Sequence, residues 1–432
     1  MIPTFRHGVK TKGRKEYTEN MPFEEYPVGD FVYIPLLQHI GKPATPLVIV
    51  GDKVKCGTKI GEADGFISAN VHSSVSGEVT GIVDLPCATG LPTTHIVIKN
   101  DYKYEEDFLS PIQNPTKDEV LERCKEAGIV GMGGATFPTI VKLMPKTPIK
   151  ALIINGCECE PYITVDYRLM LEKAAEVLSG IDLVKRALGV NKVYFGIESN
   201  KPEAIIKLRD ISTDDEIEFC ELKTKYPQGG EKQLISAITK EKVPKGGLPS
   251  DLGYVVFNVS TVYALYEAVY LGQPLIYRHM TVSGNGVKRA ANLRVRIGVQ
   301  LSDIVEYLGI EENVVKVVLG GPMMGVSLHN FKSTITKGSS SLLLLAEKEI
   351  REIEPTPCIN CGRCAKACPM FLMPMVTDRA ILHGDIEGAN NSYAMSCIEC
   401  GCCAYVCPAR RPLVQSQRLA KKLIRKNKLT PA

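Results

Sequence analysis

No run of this 432-residue sequence stays apolar for long enough to cross a bilayer. The longest uncharged stretches, residues 252–266 and 317–331, are too short for a span and are interrupted by Gly, Pro, Asn or Ser. The N-terminus, MIPTFRHGVK, lacks the apolar core of a signal peptide, so the chain is expected to stay in the cytoplasm. Excess charge of one sign is also missing, and a formal +4 does not by itself imply a nucleic-acid partner. Composition shows no extreme: 44% hydrophobic and 23% charged residues exclude a disordered or fibrous chain. The length predicts roughly two to four domains. In a reducing compartment the 15 cysteines are thiols or metal ligands rather than disulfides.

What is present divides the chain. Residues 1–29 form a polar, extended arm. Residues 30–116 alternate short apolar runs with Gly, Pro and Asp turns, the pattern of a small all-β module. Over residues 117–275 the runs ALIIN, KVYFGI and YVVFNV alternate with helical patterns at 118–127, 167–188 and 260–271, which predicts a parallel α/β layer. Residues 276–347 are strand-rich around one helix at 301–308, residues 348–410 carry the cysteine runs, and residues 411–432 form a basic tail. In the tail, helical spacing puts Leu419 and Leu423 on one side with Ile424 beside them. Arg418, Lys421, Lys422, Arg425, Lys426 and Lys428 cover much of the rest, which suits docking on an acidic partner or an anionic lipid surface.

Cys358, Cys361, Cys364 and Cys368 stand in a C-x2-C-x2-C-x3-C-P run, repeated at Cys397, Cys400, Cys403 and Cys407. In such a run three close thiolates wrap one cluster, and the fourth, a helical turn further on, points toward the neighbouring site. The spacing therefore predicts two 4Fe-4S clusters with crossed ligation. Cys358, Cys361, Cys364 and Cys407 hold one, and Cys397, Cys400, Cys403 and Cys368 the other. Zinc is the simpler reading of paired C-x2-C motifs, but it needs only two close pairs per metal, not identical four-membered runs. Cys402, between ligands, reads as a packed bystander.

Clusters of this kind pass electrons singly, so a two-electron donor requires a converter, most often a flavin. Residues 128–139, GIVGMGGATFPT, form a Gly-rich loop in which Pro138 is placed to begin a helix. Its backbone N–H groups, with Lys142 a turn further on, suit a phosphate, although tight packing of a turn explains such a loop equally well. The segment NGCECEP, residues 155–161, follows an apolar strand and so puts Glu158 and Glu160 where parallel α/β sheets bind ligands. A solvated turn is the plain alternative. Cys157 and Cys159 read as buried, inert thiols, because no nearby Cys or His completes a site.

Together with YPQGGEK at 226–232 and NVST at 258–261, these segments resemble the NADH-binding flavoprotein subunit of respiratory complex I. The resemblance implies FMN contacts from Gly131, Gly133, Gly134, Ala135, Thr136 and Lys142. It implies further contacts from Asn155, Glu158, Tyr226, Gly229, Gly230, Glu231, Asn258 and Thr261, and nicotinamide-side catalytic roles for Glu160 and Phe137. The chain departs from that family at Met132, where Arg is usual, and at Cys157, where Asp is.

Residues 30–116 resemble the barrel-sandwich hybrid fold of biotinyl and lipoyl carriers, but residues 65–76 hold no Lys, so a swinging arm is not expected. Residues 281–309 resemble an SLBB-type β-grasp domain. This order of a hairpin sandwich, a Rossmann-like FMN/NADH domain, a β-grasp and a two-cluster ferredoxin-like helical domain resembles the RnfC family of the Rnf electron-transport complexes. The expectation is a multidomain α/β and α+β oxidoreductase subunit, peripheral at the cytoplasmic face of the membrane. Its expected partners are NAD(H), the membrane subunits and their ferredoxin-like subunit, with coupling to Na+ or H+ movement. FMN is expected to be non-covalent, because Gly133 rather than Ser or Thr precedes Gly134, Ala135 and Thr136. A cobalamin reductase of a bacterial microcompartment and a non-catalytic electron-wire scaffold are the alternatives.

Overall fold

A computed structural model describes residues 2–88, 90–350 and 354–428. The first residue of the arm, the start of the linker into the cysteine region at 351–353, and the last tail residues, 429–432, lie outside the described residues. The all-β module forms two antiparallel sheets. One orders Phe31–Pro35, Pro92–Asn100, Gly77–Pro86 and Lys53–Val54, and the other Thr45–Pro46, Lys59–Glu62 and Val71–His72. Alternation explains the sandwich: Val32 and Ile34, and Ile96 and Ile98 across from them, are fully buried, while Phe31 faces out.

The α/β layer is a four-stranded parallel sheet in the order Ile217–Leu222, Val193–Glu198, Ala151–Gly156, Tyr254–Asn258. Chain order therefore reverses beside Ala151–Gly156, and the carboxyl ends of that strand and of Tyr254–Asn258 frame the crevice where such sheets take ligands. Helix Lys117–Glu126 opens the layer with a reciprocal cap between Thr116 and Glu119. The pattern at 167–188 resolves into two helices, Val165–Glu172 and Ala174–Leu188, and that at 260–271 into Val259–Tyr270.

Residues 276–347 build a mixed sheet around helix Leu301–Leu308. Its edge strand is Phe23–Glu25, which pairs parallel with Ala291–Arg296. The polar arm is thus tied down along its length. Val9 bridges Tyr226 in the α/β layer, and Gly8 N–H donates to the Ala367 carbonyl beside the cysteines. In the cysteine region the two runs repeat one backbone shape. Asn360 and Glu399 are both left-handed, as are Gly362 and Gly401, and short helices Arg363–Ala367 and Cys402–Tyr405 follow.

Helix Leu413–Lys426 packs through Leu413, Ser416, Gln417, Ala420 and Ile424. Leu419, expected on the apolar side, is exposed. The residues one and five places further along, Ala420 and Ile424, fill the contact instead. Packing against helix Pro374–Leu382, not the hydrophobicity of single residues, sets the buried face.

Candidate active site and metal centre

The crevice collects most of the residues expected of it. Asn155 and Asn258 end neighbouring strands and are register partners. The Asn155 side-chain amide donates to the Gly229 carbonyl at 2.8 Å, which fixes the turn that leads through Gly230 into helix Glu231–Thr239. Lys142 donates to the Glu231 carboxylate at 2.9 Å and to the Val256 carbonyl at 3.0 Å. The Gly-rich loop closes on itself through Gly131 N–H to the Phe137 carbonyl at 2.8 Å. It is anchored to the first turn of Val259–Tyr270 by Met132 N–H to the Thr261 hydroxyl at 3.0 Å. At Gly133 an added Cβ would stand 2.6 Å from Asn258 Cβ, so only glycine lets the loop approach that helix start. Gly133, Gly134 and Ala135 are the exposed tip. Thr136 holds a left-handed backbone at φ 52°, strain of the kind that gathers at binding loops.

Two acids turn toward other partners. The Glu158 carboxylate accepts from the backbone N–H groups of Asp166 and Tyr167, at 2.6 and 3.3 Å, and so caps helix Val165–Glu172. Glu160 accepts from the N–H groups of Met323 and Met324 at 3.1 and 2.9 Å, and more weakly from the Tyr226 hydroxyl at 3.4 Å. Gly321 makes this clamp possible, since a Cβ there would lie 2.3 Å from the Glu160 carboxyl carbon. Burial pushes the Glu160 carboxyl up to about 7, against the pull of the two N–H donors. Burial likewise lifts Glu158 to about 7, opposed by Lys15.

Lys15, on the arm, belongs to no motif that marks it in the sequence. Its ammonium donates to the carbonyls of Glu158 at 2.9 Å, Glu160 at 2.8 Å and Ile163, and lies 3.9 Å from the Glu158 carboxylate. A second buried ammonium, Lys201, holds the Cys157 carbonyl at 2.7 Å and faces Glu198 at 3.7 Å. The acidic loop is therefore suspended by two cations from below. Cys157 and Cys159 fit the inert reading, since burial raises both thiols.

The eight cysteines line two small hollows. One is bounded by Cys397, Cys400 and Cys403 with Cys368, the other by Cys358, Cys361 and Cys364 with Cys407. Thiols in sets of three plus one from the other run fit cubane clusters. Among the described residues no group of His, Cys, Asp and Glu is set to hold a single metal ion.

The hollows differ in surroundings. Cys400 and buried Cys402 pack with Tyr226, Cys159 and Met323, so the hollow holding Cys368 shares a wall with the acidic loop. Cys358 and Cys361 are exposed, and Ile359 beside them stands open to solvent. Glu399, between Cys397 and Cys400, binds Arg418 at 2.8 Å and Lys421 at 2.7 Å, so two of the tail's bases tie the helix to the cysteine region.

Comparison with known proteins gives the same sequence of parts. Family models match at residues 3–103 (RnfC barrel sandwich hybrid domain), 124–267 (Nuo51 FMN-binding domain) and 350–408 (4Fe-4S dicluster domain). A relative from Clostridium ljungdahlii, the RnfC-type subunit of a proton-translocating ferredoxin:NAD(+) oxidoreductase complex, is 45% identical over 87% of this chain and 83% of its own. The corresponding subunit from Acetobacterium woodii, of a complex named for Na(+) translocation, is 40% identical over 98% of this chain and 97% of its own. That of the ion-translocating oxidoreductase complex of Rhodobacter capsulatus is 43% identical over 97% and 82%. An NAD+-reducing [NiFe]-hydrogenase structure shares the fold at 18% identity, with a TM-score of 0.52 over 74% of this chain and 64% of that one.

Proposed function

The chain belongs to the RnfC family of ion-translocating oxidoreductase subunits, and from that premise we propose that it passes electrons between NAD(H), FMN in the switch-point crevice, the cluster hollow holding Cys368 and then the exposed hollow holding Cys407. It is an oxidoreductase subunit with an FMN-binding domain and a 4Fe-4S dicluster domain. The observation that carries the order is the shared wall: Cys159 accepts from Gly229 N–H at 3.4 Å on the crevice side and packs with Tyr226, Cys400 and Cys402 on the other. Bound there, a flavin supplies the exchange between hydride and single electrons.

The protein's own residues set the stage for that exchange. Asn155, Gly229 and the Gly-rich loop line the crevice, Phe137 and Glu160 stand on the nicotinamide side, and Lys15 and Lys201 keep the acidic loop in place. Non-covalent FMN and SLBB-type identity for residues 276–347 are part of this reading. Among the described residues no helix is long and apolar enough to span a bilayer. The chain acts as a peripheral subunit on the cytoplasmic face, partnered by the membrane subunits and their ferredoxin-like subunit.

Glu160→Gln tests the site. The carboxylate accepts from two N–H donors, whereas an amide turns an NH2 toward one of them and breaks half the clamp. FMN should stay bound while NADH-dependent flavin reduction in stopped flow slows by about tenfold or more. Unchanged kinetics would remove Glu160 from the site.

Membrane association has its own test. Deleting residues 418–432 would uncover the packing of Ala420 and Ile424 and confuse folding with docking. Replacing Lys422, Arg425 and Lys426, which make no ion pair among the described residues, by Glu avoids this. At about 1 kcal/mol per base near an anionic surface, the variant should leave the membrane fraction at lower salt than the wild type. Equal salt profiles would show that the tail is only solvated.

A further inference from the structure

We propose that Arg278, which belongs to the sheet following the flavin domain, supplies the positive charge that holds the flavin's phosphate at the Gly-rich loop. The inference rests on FMN occupying the switch-point crevice. Arg278 lies on strand Tyr277–Ser283 and is 2% exposed. One guanidinium nitrogen donates to the Met132 carbonyl, in the middle of the loop, at 3.3 Å. The buried Nε–H has no acceptor. Among the described residues no carboxylate lies within ion-pairing distance of the group.

A guanidinium out of water with one long hydrogen bond is expensive unless a negative charge completes it. The charge of Asp166 acts on it, but that carboxylate accepts from the Asn258 amide and the Ser260 hydroxyl, both at 2.7 Å. Those two residues are the cap and first turn of helix Val259–Tyr270, against which the loop is packed, so Asp166 is already engaged there.

The loop has the other half of an anion site. The backbone N–H groups of Gly133, Gly134 and Ala135 find no acceptor among the described residues and sit at the exposed tip. Such amides, with a helix N-terminus beside them, orient a phosphate. They bring partial charges only, and a phosphate near neutral pH carries between one and two negative charges. Residues 128–138 contain no Lys or Arg. Lys142 is already bonded to Glu231 and Val256. Lys337, also buried, reaches the start of the loop, but its ammonium is taken by the Asn70 and Gly128 carbonyls. Arg278 is the buried cation at the loop with an unfilled donor, and it comes from outside the flavin domain.

The test compares two ligands that differ only in the phosphate. Apoprotein of the wild type, Arg278→Met and Arg278→Lys is titrated with FMN and with riboflavin, following flavin fluorescence. The wild type should prefer FMN, Arg278→Met should lose about tenfold or more of FMN affinity with riboflavin affinity unchanged, and Arg278→Lys should keep most of the preference. The wild-type preference for FMN over riboflavin is itself a readout that needs no variant to fold. Equal losses for both ligands in Arg278→Met would overturn the inference, because a charge that balances the phosphate acts on FMN alone. So would a wild type that binds riboflavin as tightly as FMN. Wild-type apoprotein that binds neither ligand would instead overturn the placement of FMN in the crevice.

Discussion

Cys368→Ser is expected to strip the cluster whose other ligands are Cys397, Cys400 and Cys403, and to leave the one held by Cys358, Cys361, Cys364 and Cys407. The hollow that Cys368 lines is bounded by the later cysteine run, although Cys368 stands in the earlier one. Replacing a thiolate ligand by a hydroxyl removes the soft donor that iron–sulfur clusters require. Iron content should fall from about eight to about four per chain. Flavin reduction by NADH should continue near the wild-type rate, because the crevice is intact, while delivery of electrons to the remaining cluster drops to background. Cys407→Ser should do the reverse, sparing the cluster next to Tyr226 and removing the exposed one. Reduced-state EPR of the two variants is the measurement. If Cys368→Ser instead removes the signal that Cys361→Ser removes, ligation is uncrossed and the proposed electron order fails with it.

Lys15→Met should have the largest effect of any change in the arm. The ammonium joins three carbonyls and faces the Glu158 carboxylate, so its removal leaves a buried acid and three buried acceptors without their cation. Breaking one side of a buried pair costs about 3–5 kcal/mol. The loop that carries Glu160 loses its support at the same time, and a shift of about 1 Å in such a segment is enough to slow chemistry by about 100-fold.

The pH dependence has a defined sign. Glu158 is raised from 4.5 to about 7, so the folded chain holds its proton more tightly than the unfolded one. Its contribution to stability is full below the unfolded value and declines as pH rises from 4.5 to about 7. Lys15 opposes that rise, and without it the folded value moves higher still, so the decline should extend to more alkaline pH in Lys15→Met than in the wild type. Thermal unfolding across that range, together with stopped-flow reduction by NADH, reads both effects. A variant with the wild-type melting profile and wild-type kinetics would show that the arm does not support the loop.

Neither effect can be assigned from local sequence. Lys15 and Glu158 are separated by 143 residues, and Glu160 and Met323 by 163, so no spacing or motif links them. The arm reads as extended because it is polar, yet beside one short helical turn at Lys15–Tyr17 it bonds to distant partners. The position of Glu158 and Glu160 just beyond a strand is legible, but their partners are not: a helix start for one and the N–H groups of Met323 and Met324 for the other. In the tail, the bases are legible, while the buried side is set by the neighbouring helix, which puts Leu419 outside.

The sequence by itself determined the parts. Thiol spacing assigns the eight cysteines to the same crossed sets that line the two hollows, because a short chain segment can wrap only one cluster, and alternation of apolar runs with helical patterns implies the parallel sheet, a class that takes ligands at its strand ends. These are local properties, governed by the reach of a few residues and by the periods of helix and strand. Tertiary structure alone decided which cations stand beneath the acidic loop, which buried arginine reaches the Gly-rich loop, and which cluster hollow borders the crevice. Each of these depends on segments apart in the sequence meeting in one place, and a charge declares its partner only when burial removes water as the alternative.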